Sequence, residues 1–198
     1  MARRSAHDVA DSRATAVQAA VDLASVEGLE GITIGRLAGD LGMSKSGLIG
    51  RFGHKDELQR ATLEAAIERF TATVWVPAQN ATPGLPRLTA IVNAWIDHHR
   101  DGVFPGGCFI TTASVEYDAR PGPLHDAVAK AVHRWLAALT AEATVAQQAG
   151  DLPADRDPAD VAFELHSLAS GGSVAARITD DPVAGLERTR AAMHRALR

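Results

Sequence analysis

Apolar residues recur three and four positions apart along nearly the whole of this chain, and no stretch alternates convincingly with period two. Glycine and proline cut the pattern into pieces of helical length. Alanine is abundant, while Phe, Trp and Tyr together make up only 5% of the residues. Strands need β-branched and aromatic residues, so this usage favours helix. The expected fold class is all-α.

The first helical piece runs from about Asp8 to Glu27, with Val17, Ala20, Val21 and Ala24 stacked on one face and Gly28 as its stop. After a turn, Thr33 is placed to cap a short helix through Leu41, and Gly42 to take the left-handed conformation that ends it. Ser44 caps a third piece ending near Phe52-Gly53. Asp56 opens a fourth that reaches about Trp75, and Pro77, Pro83 and Pro86 mark a linker. Further helices are expected at 85–100, 109–118, 124–149, 158–178 and 182–197. The predicted organisation is a small three-helix domain over 1–55, then a larger helical domain over 56–198 entered through a connecting helix at 56–76.

With 198 residues, 46% apolar and 22% charged, the chain resembles an ordinary globular protein. No apolar run of about 18 residues is present to span a membrane. The first residues lack the apolar stretch of a secretory signal. One cysteine, Cys108, excludes an internal disulfide. A cytoplasmic protein is expected. Net charge is −4, but residues 1–55 carry seven basic against six acidic side chains, so the acidity lies in the remainder. That distribution permits nucleic-acid binding.

The segment Thr33 to Phe52 reads as two short helices around a tight turn. Leu48 and Phe52, four apart, pack inward, which leaves Ser46, Ile49 and Gly50 on the outer face. Lys45 stands at the amino end, where it can read a guanine edge or touch phosphate, and Ile49 can meet a thymine methyl. Arg51 and Lys55 are placed to grip flanking phosphates. Gly47 and Gly50 each cost a helix about 1 kcal/mol relative to Ala, which points to close backbone approach or to ordering on DNA. Gly28 to Leu58, through Thr33, Leu37-Ala38, Leu41-Gly42-Met43-Ser44, Gly47-Leu48, Phe52 and Lys55, resembles the helix-turn-helix of the TetR family. Ile49 and Arg51 depart from the aromatic residue and histidine usual at those positions, which bears on the operator sequence. The resemblance implies DNA contacts from Thr33, Arg36, Ser44, Lys45, Ser46, Gly47, Ile49, Gly50, Arg51 and Lys55.

Gly84-Leu-Pro-Arg-Leu, Phe104-Pro-Gly-Gly-Cys-Phe and Glu116-Tyr-Asp-Ala-Arg-Pro-Gly-Pro are similar to one subgroup of TetR ligand-binding domains. Such a domain encloses a small-molecule effector and dimerises. Candidate effector residues are Trp75, Trp95, His99, Phe104, Cys108, Phe109 and Tyr117, since ligand sites are mostly apolar with few polar groups. Each aromatic also fits an ordinary core, and Cys108 a small buried hydrophobe. Adjacent histidines on a helix point about 100° apart, so His98 and His99 do not converge on one ion, and neither metal nor cofactor is expected. No base is placed beside Cys108, and an enzyme is not expected.

Dimer contacts are expected from helices 124–149 and 158–178. Their apolar stripes include Leu124, Val128, Ala131, Trp135 and Leu139, and then Phe163, Leu165, Leu168, Ala169, Gly171, Gly172, Ala175 and Ala176. The alternative for Gly171-Gly172 is a kink or helix end. The resemblance thus implies a ligand-responsive repressor that binds palindromic double-stranded operator DNA as a homodimer and is released by a small molecule. The competing reading is a helical ligand-binding protein with weak or lost DNA binding.

Overall fold

The computed structural model describes the backbone from residue 6 and side chains from residue 12 to the C-terminus. Among the described residues all regular structure is helical: α1 (Ala6–Glu27), α2 (Ile34–Asp40), α3 (Lys45–Phe52), α4 (Lys55–Phe70), α5 (Val76–Ala78), α6 (Leu85–Arg100), α7 (Phe109–Tyr117), α8 (Pro123–Gln148), α9 (Pro158–Ile178) and α10 (Pro182–Ala196). The local signals act as expected. Thr33 Oγ1 accepts from Arg36 N at 3.1 Å and Ser44 Oγ from Gly47 N at 3.1 Å, each filling an orphan donor at a helix start. Gly42 turns the chain at φ +61°.

Two expectations need correction. The fourth helix does not stop at Trp75. It passes through a single π turn at Thr71–Trp75 into α5, where Pro77 sits in the first turn. Pro86 likewise lies in the first turn of α6, a position that needs no backbone N–H. The linker therefore shrinks to residues 79–84.

The chain packs as two compact units. One comprises residues 1–67 with 104–125, and the other residues 68–103 with 126–198. The first holds α1–α3, most of α4 and all of α7, around a core that includes Ala20, Val21, Leu29, Ile32, Leu37, Leu48, Leu58 and Phe109. The loop before α7 meets α1 closely. A Cβ on Gly106 would stand 1.7 Å from the Ser25 carbonyl oxygen, so only glycine fits, and Gly106 N donates to Ser25 Oγ at 2.9 Å.

The second unit packs α6, α8, α9 and α10 around Leu88, Ile91, Val92, Ile96, Leu139, Val161, Leu165 and Met193. Glu142 of α8 is buried, accepts from Gly84 N at 2.8 Å and pairs with Arg87 at 2.9 Å. The Gly-Leu-Pro-Arg motif thus anchors the start of α6 to α8. Gly172 is explained inside the chain: a Cβ there would lie 2.2 Å from Thr189 Oγ1 of α10. Gly171 faces open space. Of the stripe expected as a dimer seam on α8, Val128 and Leu139 are buried in the chain's own core, and Leu124, Ala131 and Trp135 are half-buried. Periodicity shows which residues share a face, but not whether that face meets its own chain or another.

Candidate nucleic-acid interface and effector site

In the first unit, α3 is held on α1 by two cationic contacts. Arg51 donates to Ser12 Oγ through Nε at 3.0 Å and Nη2 at 2.8 Å, and its Nη1 reaches Gly47 O. Arg13 lies 5.1 Å over the Phe52 ring. A Cβ at Gly47 would meet Ser44 Oγ at 2.9 Å and Arg51 Nη1 at 3.2 Å, so this glycine serves the cap and the arginine. Gly50 has nothing within 4 Å of such a Cβ. Lys45, Ser46, Ile49 and Gly50 form the exposed face of the helix, with Ile49 44% exposed.

The expected phosphate-gripping cations are engaged elsewhere. Arg36 pairs with Asp40 at 2.9 Å and Glu27 at 3.1 Å, and the Asp40 hydrogen bond holds the exposed guanidinium above its ordinary pKa. Lys55 donates to Glu30 Oε2 at 2.7 Å and to Glu30 O at 3.0 Å. Arg51 is committed to Ser12. Thr33 and Ser44 spend their hydroxyls on capping. Of the expected DNA set, Lys45, Ser46, Ile49 and Gly50 are exposed on one face of α3, while the exposed Thr33, Arg36 and Ser44 are engaged as above.

Residues expected in an effector site instead brace the turn before α2. Glu116 of α7 accepts from Leu29 N at 2.7 Å and Glu30 N at 2.8 Å. Gly28, at φ +79°, leaves no room for a side chain, since a Cβ would lie 2.9 Å from both Glu116 oxygens. The Tyr117 hydroxyl donates to Glu30 Oε1 at 2.8 Å. The hydrogen bond from Lys55, then that from Tyr117, draws the Glu30 carboxyl below its ordinary pKa. Burial first, and then the Glu30 carboxylate, pushes the Tyr117 hydroxyl well up. Phe104 and Phe109 pack together at 5.8 Å, and burial raises the Cys108 thiol. Phe104, Cys108, Phe109 and Tyr117 are thus core or brace of this unit.

Trp75, Trp95 and His99 fall in the second unit, which gathers aromatic rings the sequence reading did not group with them. Trp135 of α8 stands edge-on to Trp95 at 5.2 Å, to Phe70 at 5.1 Å and to Trp75 at 6.2 Å. Phe70 also meets Trp95 at 5.8 Å and His98 at 5.4 Å, and His166 of α9 lies 6.2 Å from Trp95. The π turn borders this group: Thr73 Oγ1 lies 2.7 Å from His98 Nδ1 and also reaches Arg69 O at 2.9 Å. Trp95, His98 and His99 occupy one face of α6 by their i, i+3, i+4 spacing, a signal legible in the sequence.

Polar atoms in this group lack partners. Trp95 Nε1, Trp135 Nε1, His99 Nε2 and His166 Nδ1 are shielded from solvent with no hydrogen bond. A buried unsatisfied group of this kind costs about 1–3 kcal/mol, so their clustering calls for an occupant able to bond them. Burial keeps the imidazoles neutral. It lowers His98 to about 4, helped by His99 and Arg69, lowers His99 to about 4, helped by Arg177, and lowers His166 as well. Among the described residues no three His, Cys, Asp or Glu side chains gather as a metal site would require.

Residues 84–193, over half of the chain, match the family model described as tetracyclin repressor-like, C-terminal domain. The chain is similar in structure to a TetR transcriptional regulator from Chloroflexus aurantiacus, with TM-score 0.86 and 20% identity over 96% of this chain and 94% of that one. It is also similar to the TetR-family regulator CifR in complex with 26-bp operator DNA, with TM-score 0.76, 23% identity and coverage of 93% and 94%. AibR, in complex with isovaleryl coenzyme A and operator DNA, gives TM-score 0.71, 19% identity and coverage of 91% and 95%. No match is found among curated proteins. On the strength of the matched C-terminal domain, this chain belongs to the tetracycline-repressor-like family, whose members are transcriptional regulators and not enzymes.

Proposed function

We propose that this protein is a cytoplasmic repressor that binds a palindromic operator as a homodimer and is released by a small molecule. The observation that carries the reading is α3 itself: capped by Ser44, stapled to α1 through Arg51 and Arg13, and presenting Lys45, Ser46, Ile49 and Gly50 outward on one face. A recognition helix needs that combination of rigid seat and uncommitted outer side chains. Thr33, Arg36, Ser44, Gly47, Arg51 and Lys55 then act mainly by setting the geometry of the head, with the exposed Arg36 able to exchange its carboxylate partners for phosphate.

The homodimer is proposed through α8 and α9. On α9, Phe163 is 65% exposed and Ile178 80%, with Val174 between them; on α8, Ala137, Ala141 and Val145 are exposed. These apolar positions share a face by helical spacing, and such patches mark association surfaces. Two related proteins are known with operator DNA, one of them also with an acyl coenzyme A. By that analogy an effector held in the domain at 56–198 acts on the helix-turn-helix domain at 1–55 through the connecting helix at 56–76. A coupling of about 1–3 kcal/mol weakens operator affinity roughly 5- to 150-fold. No helix among the described residues is long and apolar enough to cross a membrane.

Selection of genomic fragments on the purified protein across a salt series tests the reading. A recovered palindrome, with affinity falling steeply as salt rises, is the expected result. Absence of enrichment with the dimer intact would favour a ligand-binding protein that has lost DNA binding.

A further inference from the structure

We infer that the effector is a largely apolar molecule without positive charge that offers hydrogen-bond acceptor oxygens to the indole N–H groups of Trp95 and Trp135. The inference rests on the reading of the second unit as the effector domain. Trp95 is only 2% exposed, and its Nε1, like that of Trp135, is shielded and unpartnered. An indole N–H is a donor and nothing else, so an occupant must present acceptors there. The rings of Phe70, Trp75, Trp95 and Trp135 pack edge-to-face on one another, so the body of the guest meets aromatic surface.

Charge narrows the class further. The charged groups felt by the neighbouring imidazoles are Arg69 at His98 and Arg177 at His99, both positive. Carboxylates of the unit are paired with its arginines: Glu142 with Arg87, Asp97 with Arg190 and Arg100, Asp101 with Arg100, Glu164 with Arg156 and Glu187 with Arg190. A cationic guest would have to compete with these arginines for a counter-charge. His99 Nε2 and His166 Nδ1, each donor or acceptor according to tautomer, then serve the guest's remaining polar edge.

The chain has three tryptophans, all in this group, so their indole N–H signals report the site directly. Full-length ¹⁵N-labelled protein is titrated with three bicyclic probes of matched outline: coumarin with acceptor oxygens, naphthalene without, and cationic N-methylquinolinium. Trp75→Phe, Trp95→Phe and Trp135→Phe assign the signals. Coumarin is expected to move the Trp95 and Trp135 signals downfield and to bind at least about tenfold tighter than naphthalene, as one recovered hydrogen bond implies. N-methylquinolinium is expected not to bind. Joining Trp95→Phe and Trp135→Phe should remove coumarin's advantage over naphthalene, while a thermal melt and a helical circular-dichroism spectrum like those of wild type certify the fold. Equal binding of coumarin and naphthalene, tight binding of the cation, or indole signals unmoved by all three overturns the inference. Fragment selection on the same preparation separates the two claims. Enriched DNA with unmoved indoles refutes the effector class alone, and moved indoles without enrichment refute the operator reading alone.

Discussion

Glu116 is the side chain whose removal should be felt furthest from its own position in sequence. It sits on α7, 87 residues after Leu29, yet its carboxylate accepts from the backbone N–H groups of Leu29 and Glu30 at 2.7 and 2.8 Å. Leu29 is 1% exposed, so in Glu116→Ala its N–H has no water to turn to. A hydrogen bond to a charged group contributes about 1.5–3 kcal/mol, and a stranded buried donor keeps the full penalty. The Glu30 N–H is exposed and recovers a water, which adds about 0.5–1 kcal/mol. The expected cost is therefore about 2–4 kcal/mol. For a chain of this size each kcal/mol lowers Tm by roughly 2–4 °C. Glu116→Ala should melt roughly 4–16 °C below wild type, and Glu116→Gln, which keeps one acceptor, should fall between. Thermal melts give the shift, and hydrogen exchange should show the lost protection at Leu29 and Glu30. Gly28→Ala is the cross-check, because its Cβ would collide with the same carboxylate. Combined with Glu116→Ala the two costs should sum to less than their total, the residue being backbone strain at φ +79°. A Glu116→Ala protein melting within about 2 °C of wild type, with unchanged exchange, would refute the brace.

Gly50 has no packing reason to be glycine, so Gly50→Ala should stabilise α3 by about 1 kcal/mol while weakening operator binding. A stabilised variant with undiminished operator affinity would show that nothing approaches that face closely. His98 and His99 titrate at about 4 when folded against 6.5 when unfolded, so the folded state favours the neutral rings. Their contribution is intact above pH 6.5 and is lost as pH falls towards 4; by pH 5 roughly 4 kcal/mol for the pair should be gone. Urea midpoints at pH 7.5, 6 and 5 measure this, and a flat profile would exclude it. Glu142→Ala should cost about 3–5 kcal/mol by taking the carboxylate from the half-buried Arg87 and from Gly84 N, and Arg87→Ala in that background should add little. Additive urea-denaturation losses in the double variant would count against a coupled pair.

Much of the fold was legible because its signals are local. Thr33, Ser44 and Gly42 act within three or four residues of themselves, so caps and turn follow from sequence alone. The fates of the basic side chains were not legible. Arg51 finds Ser12 across 39 positions and Lys55 finds Glu30 across 25, although the place of each on its helix suits a phosphate contact equally well. A cation at a suitable place on a helix looks the same from sequence whether it faces DNA or a neighbouring turn. The aromatic residues show the same limit: Phe104, Phe109 and Tyr117 share a residue type with Trp95 but not its surroundings, while Phe70, Trp135 and His166 stand beside it.

The motifs that resembled one subgroup of effector domains have a physical explanation different from the one first attached to them. Gly84 and Arg87 are fixed by Glu142, Gly106 by the Ser25 carbonyl, and Glu116 and Tyr117 by the turn of residues 28–30. None of these contacts requires a ligand. Four of the residues, Gly106, Glu116, Tyr117 and Gly28, lie in the unit that carries α3, and together they set the turn from which α2 and then α3 depart. Recognition of DNA needs side chains held within a fraction of an ångström, and short helices such as α2 and α3 cannot hold themselves so. The brace from α7 supplies that rigidity. What makes these motifs visible in sequence is therefore the stiffness of the unit that carries α3, while Trp95 and Trp135 come together without a motif of their own.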